Sequence, residues 1–214
     1  MVDEIYDFES GRGQLMERST IIQAGSNTLE AIYLRGQVKP PVLVVPGIHI
    51  SGGSMEGSVS NEISYTTSFN GHASLRFAWQ GQGASEGELP KVGESLEPLQ
   101  TDLAHAVDHL RDCEGSEKVA LVALRDGALP ALTFATAHPE KVELLALIDP
   151  PDAAAEQIGA LLTFVFFPGE EVVPRDFHDF DKCSVVRIPK ADRAFRRNLN
   201  LLGQSVANLL SRPD

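Results

Sequence analysis

The 214-residue chain reads as an α/β protein with a mostly parallel sheet. Three observations predict this. The run "PPVLVVPG" (40–47) is continuously apolar and β-branched, which suits a strand buried on both faces. Downstream, strand-like runs alternate with segments of helical periodicity, the pattern of repeated β-α units. The composition, 43% hydrophobic and 22% charged, is that of a globular domain, and the length suits one domain with a sizeable core.

Residues 1–14 read as a flexible polar tail, and 15–214 as the domain. "QLMERSTIIQAG" and "LEAIYLRG", separated by the turn signal "SNT", predict an antiparallel hairpin. The central strand 40–47 follows, and "ASLRFAWQG" (73–81) is the next strand. "SLEPLQTDLAHAVDHLRD" places Leu96, Leu99, Leu103, Ala106, Val107 and Leu110 at helical spacing. "KVALVAL" (118–124) is a strand and "GALPALTFATAH" a helix. "VELLALIDPP" (142–151) is a strand, "DAAAEQIGA" a short helix, and "LLTFVFFPG" (161–169) and "CSVVRIP" (183–189) are strands. A last helix is expected from about 192, burying Phe195, Leu199, Leu202, Val206 and Leu209. Helices on both faces of the sheet follow from this order.

The formal net charge of −12, with no basic stripe, argues against a nucleic-acid partner. Cys113 and Cys183 are too few for a disulfide framework and lack metal-ligand spacing. "MVDEIYDFES" is too acidic for a signal peptide, and no apolar run reaches membrane-spanning length. A cytoplasmic protein without a membrane, metal or cofactor is therefore expected.

"VALVALRDGALPAL" (119–132) predicts a strand that turns sharply into a helix. Such a turn needs small residues two positions either side of its apex. Ala123 and Gly127 meet that need around Arg125, whereas centring on Asp126 would place Leu124 in a small position.

Three stretches carry a resemblance. "LRFAWQGQGASEGE" (75–88) is similar to a Gly-rich segment of small bacterial α/β-hydrolases, the dienelactone-hydrolase-like and small serine-esterase or peptidase relatives. "LEAIYLRG…PPVLVVPG…SGGSM" resembles their hairpin, central strand and Gly-rich loop before a helix. "FFPGEEVVP" (166–174) resembles their acid loop. The resemblance spans about residues 15–210 and implies a single-domain α/β-hydrolase fold without a lid domain. It also implies a homodimer. The family's chemistry needs a serine at the elbow, an acid after a later strand and a histidine before the last helix. By resemblance these positions fall on Arg125, on Glu170 (or Glu171), and on Arg193 within "RIPKADRAF" (187–195). The loop with Gly47, Ile48 and His49 corresponds to the family's oxyanion loop.

Arginine stays protonated and is neither a nucleophile nor a general base. Arg125 and Arg193 therefore imply a pseudoenzyme, a hydrolase fold without hydrolase chemistry. Substitutes are weak. His105 and His109, four apart, read as a solvent face with no third metal ligand. His72 and His138 read as loop or helix-end residues, and nothing marks His178. Ser54 and Ser85 have turn or capping duties, and Asp126 pairs with Arg125 or caps the helix. Two fates for the arginines stay open. They fill the old site by pairing with Glu170, Glu171, Asp126 and Asp192, or they make an anion pocket with Gly47, Ile48, His49 and Asp126. Full pairing of both arginines by protein carboxylates would exclude the pocket. A scaffold for a protein partner is a further role. Its exposed candidates are Tyr6, Phe8, Phe177 and Phe180, although Phe177 and Phe180 read better as core. The expected function is thus non-catalytic binding or scaffolding, and the alternative is a hydrolase of small acyl compounds with an atypical nucleophile.

Overall fold

The computed structural model describes residues 17–48, 54–91, 93–158, 161–169, 177 and 182–211. Strands β1 (Arg18–Ala24) and β2 (Asn27–Leu34) form the antiparallel hairpin, with Gly25 at φ +64 in its turn. The chain continues through β3 (Val38–Val45), α1 (Ser58–Phe69), β4 (His72–Phe77), α2 (Glu97–Glu114) and β5 (Val119–Leu124). It ends with α3 (Ala128–Ala137), β6 (Val142–Ile148), β7 (Thr163–Pro168), β8 (Cys183–Ile188) and α4 (Leu199–Leu210). One eight-stranded sheet has the order β1-β2-β4-β3-β5-β6-β7-β8. β2 meets β4 antiparallel, and every later pairing is parallel.

Two cores explain the continuous apolar strands. Leu43, Val45, Leu121, Ala123, Leu145 and Leu147 face α2 and α3. Their neighbours Val42, Val44, Ala120, Val122, Leu144 and Ala146 face Ile63 of α1 and Leu202 and Val206 of α4. Successive residues of a strand point to opposite faces, so a strand buried twice must be apolar throughout.

The Gly-rich segment after β4 is a clamp. Ser85 Oγ donates to the Ala78 carbonyl (2.8 Å) and accepts from the Glu30 amide (2.9 Å). The Glu86 amide donates to the Thr28 carbonyl and Glu86 Oε2 accepts from the Thr28 amide. Gly83 has φ +55, and a Cβ there would lie 2.5 Å from Glu30 Oε2. The segment that carries the sharpest resemblance thus ties the hairpin to the sheet, in keeping with the turn duty expected of Ser85.

Two expectations need correction. The last helix begins at Leu199, not near 192, because Phe195 (φ +53) and Asn198 (φ +59) are left-handed and break helical geometry. Phe195 is buried all the same, from a loop. The short helix expected after β6 is present as a 3₁₀ helix over Asp152–Gln157. His72 is neither loop nor surface: it is the first residue of β4 and fully buried.

His72 Nδ1–H donates to the Pro40 carbonyl (2.9 Å), and Nε2 is buried without a partner. Burial, the larger influence, pushes its pKa down, and the hydrogen bond to Pro40 opposes it. The fold therefore holds the neutral ring, and the unfolded chain binds more protons. Stability must fall as pH drops through the ordinary histidine value of 6.5. Thermal unfolding of wild type and His72→Asn between about pH 8 and 5 checks this. The wild-type Tm is expected to fall more steeply than that of the variant, and equal slopes would contradict it. His109, also pushed down by burial, is common to both proteins and cancels.

Candidate functional site

The site is built where β5 ends. Arg125 follows Leu124 directly and has φ +49, so the strand turns at a non-glycine residue in the left-handed region. Residues 125–127 form one 3₁₀ turn, which runs straight into α3. Gly127 is needed for closeness: a Cβ there would stand 2.2 Å from the Pro46 carbonyl oxygen. The elbow and the end of β3 are thus packed backbone to backbone.

Side chains lock the loop after β3 onto this elbow. Trp79 Nε1 donates to the Pro46 carbonyl (2.9 Å), and Gln82 donates to the Ile48 carbonyl. Asp126 Oδ1 accepts from the Ile48 amide (2.9 Å). The described part of the supposed oxyanion loop therefore spends its Ile48 N–H on a protein carboxylate. Gly47 and Ile48 are buried. Through this bond Asp126 holds the loop onto the elbow.

On the other side of Arg125 lies an open cleft of about 240 Å³. The first turn of α1 (Ser58, Val59 and Ser60, with Gly57 before it) forms one wall. Leu124 and Ile148, at the ends of β5 and β6, form the apolar floor, and Ala194, Phe195 and Arg196 close the far side. Arg125 and Asp149 sit between them, with Arg125 Nε 3.8 Å from Asp149 Oδ2. Arg125 Nη2 also donates to the Arg193 carbonyl (3.2 Å). Ser60 Oγ donates to the Ser54 carbonyl (2.9 Å). Asp149 is itself left-handed (φ +48), as is Phe195, so three of the five described non-glycine residues with positive φ line this cleft. Such strain costs about 1–2 kcal/mol per residue and concentrates at functional sites.

The residues named from the sequence separate in space. Arg125 lines the cleft. The Arg193 carbonyl accepts from Arg125 and Arg193 is exposed, while Arg196 is the second arginine among the residues that line the cleft. Asp192 is turned to the backbone: its Oδ1 accepts from the amides of Ala194 (3.1 Å) and Arg196 (2.9 Å). His49, Glu170, Glu171, His178, Phe180, Tyr6 and Phe8 lie outside the described residues. Phe177 is buried against Phe167, with ring centroids 5.4 Å apart. His105 and His109 are half-buried on α2, His109 lies 3.6 Å from Cys113 Sγ, and half-buried His138 lies 3.6 Å from Glu140. Among the described residues no group of three His, Cys, Asp or Glu could hold a metal ion, and no helix is long and apolar enough to cross a membrane.

Asp149 and Arg196 are the residues that sequence reasoning missed. Asp149 had a signal in "LIDPP": it ends the strand beside the elbow strand, and in open parallel sheets ligands gather at the carboxyl ends of strands. Arg196 had none, because its place depends on where α4 begins.

No family model and no curated protein matches the chain. Solved structures do. An α/β serine hydrolase homologue from Coxiella burnetii superposes with a TM-score of 0.77 at 19% identity, covering 91% of this chain and 97% of the other. An α/β serine hydrolase without a lid from Xanthomonas campestris gives 0.72 at 18%, covering 94% and 100%. Est1E from Butyrivibrio proteoclasticus, with ferulic acid bound, gives 0.73 at 16%, covering 89% and 97%. At such identities the likeness concerns the fold.

Proposed function

We propose, for a chain that has the α/β-hydrolase fold, a non-catalytic role in which the cleft beside the elbow binds a small anion. The observation that carries this reading is Arg125 at the strained apex, lining an open cleft. A guanidinium there can neither attack a carbonyl nor accept a proton at any working pH. It can hold a carboxylate or phosphate with paired N–H donors, and Arg196 adds a second cation. Among the described lining residues there is no histidine to activate a nucleophile. The strain at the apex is retained although an ordinary turn would fold more easily, as expected of a position kept for binding.

The alternative, a hydrolase of small acyl compounds with an atypical nucleophile, is favoured by one observation: the cleft wall carries the Ser58 hydroxyl. No histidine is among the described residues that line the cleft with it.

Anion binding must raise stability by mass action, about 1.4 kcal/mol at ten times Kd. For a chain of this size the Tm is expected to rise by about 3–5 °C with saturating acetate or inorganic phosphate over chloride at matched ionic strength. Arg125→Gly, which suits the left-handed backbone, should fold normally and lose the rise. An equal rise in that variant, or none in wild type, would refute the reading.

A further inference from the structure

At the C-terminal end of α2, two side chains of the metal-ligating kind stand one turn apart. His109 Nε2 lies 3.6 Å from Cys113 Sγ. Residues four apart share one face of a helix, and Gly115 (φ +54) ends this helix just beyond them. The sequence pairs His109 with His105, whereas the structure sets it against Cys113. Zinc takes histidine nitrogen at about 2.0–2.1 Å and thiolate sulfur at about 2.3 Å in a tetrahedral shell, which puts two such donor atoms about 3.6 Å apart. The pair thus already has the spacing of two zinc ligands. Cys113 is exposed, so an ion can reach it from solvent. Burial pushes the His109 pKa down, which favours the neutral ring that ligates metals. Neither residue lines the cleft.

One chain supplies half of a tetrahedral shell. No third His, Cys, Asp or Glu among the described residues completes it. Neighbouring Glu114 is engaged by the Tyr33 hydroxyl and by Lys39. A twofold contact places the same patch on both partners, so a second copy brings the two missing ligands. We propose that His109 and Cys113 are half of a divalent-metal site, completed by the same two residues of a second copy, with zinc the ion that fits. Each thiol releases its proton to water as its sulfur binds, so two thiolates balance the charge of the ion. Burial first, and then the charges of Glu114 and Asp112, push the Cys113 thiol up. Those same charges draw a cation to the patch. Two copies of net charge −12 repel each other without the ion, so the contact is metal-dependent.

The test is a Co²⁺ titration of the reduced full-length protein, followed by absorbance and by sedimentation, with the sedimentation repeated in Zn²⁺. Co²⁺ is expected to give the visible bands of a tetrahedral ion and a thiolate charge-transfer band, both saturating at about one ion per two chains, as a four-ligand shell shared by two copies requires. With either ion the sedimenting mass should double, and a chelator should return it to its metal-free value. Cys113→Ser and His109→Ala should lose both effects, whereas Cys183→Ser should keep them. No thiolate band, or a band that saturates at one ion per chain with no change in mass, would overturn the proposal. So would a band or a doubling of mass that survives in Cys113→Ser. Alkylation of Cys113 in Cys183→Ser, where it is the remaining thiol, should also abolish both effects, and it decides the matter even if Cys113→Ser does not fold.

Discussion

Gly127→Ala is expected to destabilise the protein by about 3 kcal/mol, near the upper end for overpacking. The added Cβ would lie 2.2 Å from the Pro46 carbonyl oxygen and 3.0 Å from its carbonyl carbon, and both are backbone atoms that no rotamer change can move aside. The same carbonyl accepts the Trp79 indole N–H, and the next residues are held by Gln82 and Asp126. Moving Pro46 away would therefore strain three further contacts at once. Denaturant unfolding should show a lower midpoint at an unchanged m-value. A stability within about 0.5 kcal/mol of wild type, the range of neutral surface changes, would mean that the elbow is not packed on β3 as described.

Asp126→Ala has the next largest expected effect, a loss of about 2 kcal/mol. It leaves the amide of Ile48, a residue only 1% exposed, without its carboxylate acceptor. A buried donor without a partner loses its hydration and gains nothing in return. Asp126→Asn keeps an oxygen that can accept the same N–H, so it should retain most of the stability. If the alanine and asparagine variants unfold alike, the Ile48 contact is not what makes Asp126 matter. This pair of variants also separates a loop-holding role from a nucleophilic one. A nucleophile would be lost in both.

The parts of the fold that the sequence made legible are those governed by burial on two faces. β3, β5 and β6 have unbroken apolar runs because both cores claim alternate residues. The elbow was legible for a steric reason, the small residues Ala123 and Gly127 around Arg125. The limits are equally physical. The spacing from Phe195 through Leu199 to Leu202 mimics a helix, yet Phe195 is buried from a left-handed loop position. Helix α1 buries Ser60, Ser64, Thr66, Thr67 and Ser68, so its sequence shows no apolar stripe, and its first turn could not be recognised as a cleft wall. Asp149 and Arg196 come together with Arg125 only through strand order and the late start of α4. Neither is visible in local periodicity. The acid loop expected at Glu170 and Glu171 and the histidine at 49 fall outside the described residues, so the described site comprises Arg125, Asp149 and Arg196.

The most direct measurement is release of nitrophenol from short-chain nitrophenyl esters by purified wild type, beside Arg125→Gly and a denatured blank. A non-catalytic elbow predicts that wild type is no faster than either. Turnover by wild type that Arg125→Gly abolishes would contradict this, by placing the apex arginine in a reaction. Turnover by both would contradict it too, by placing a nucleophile elsewhere, with Ser58 in the cleft wall the first residue to change.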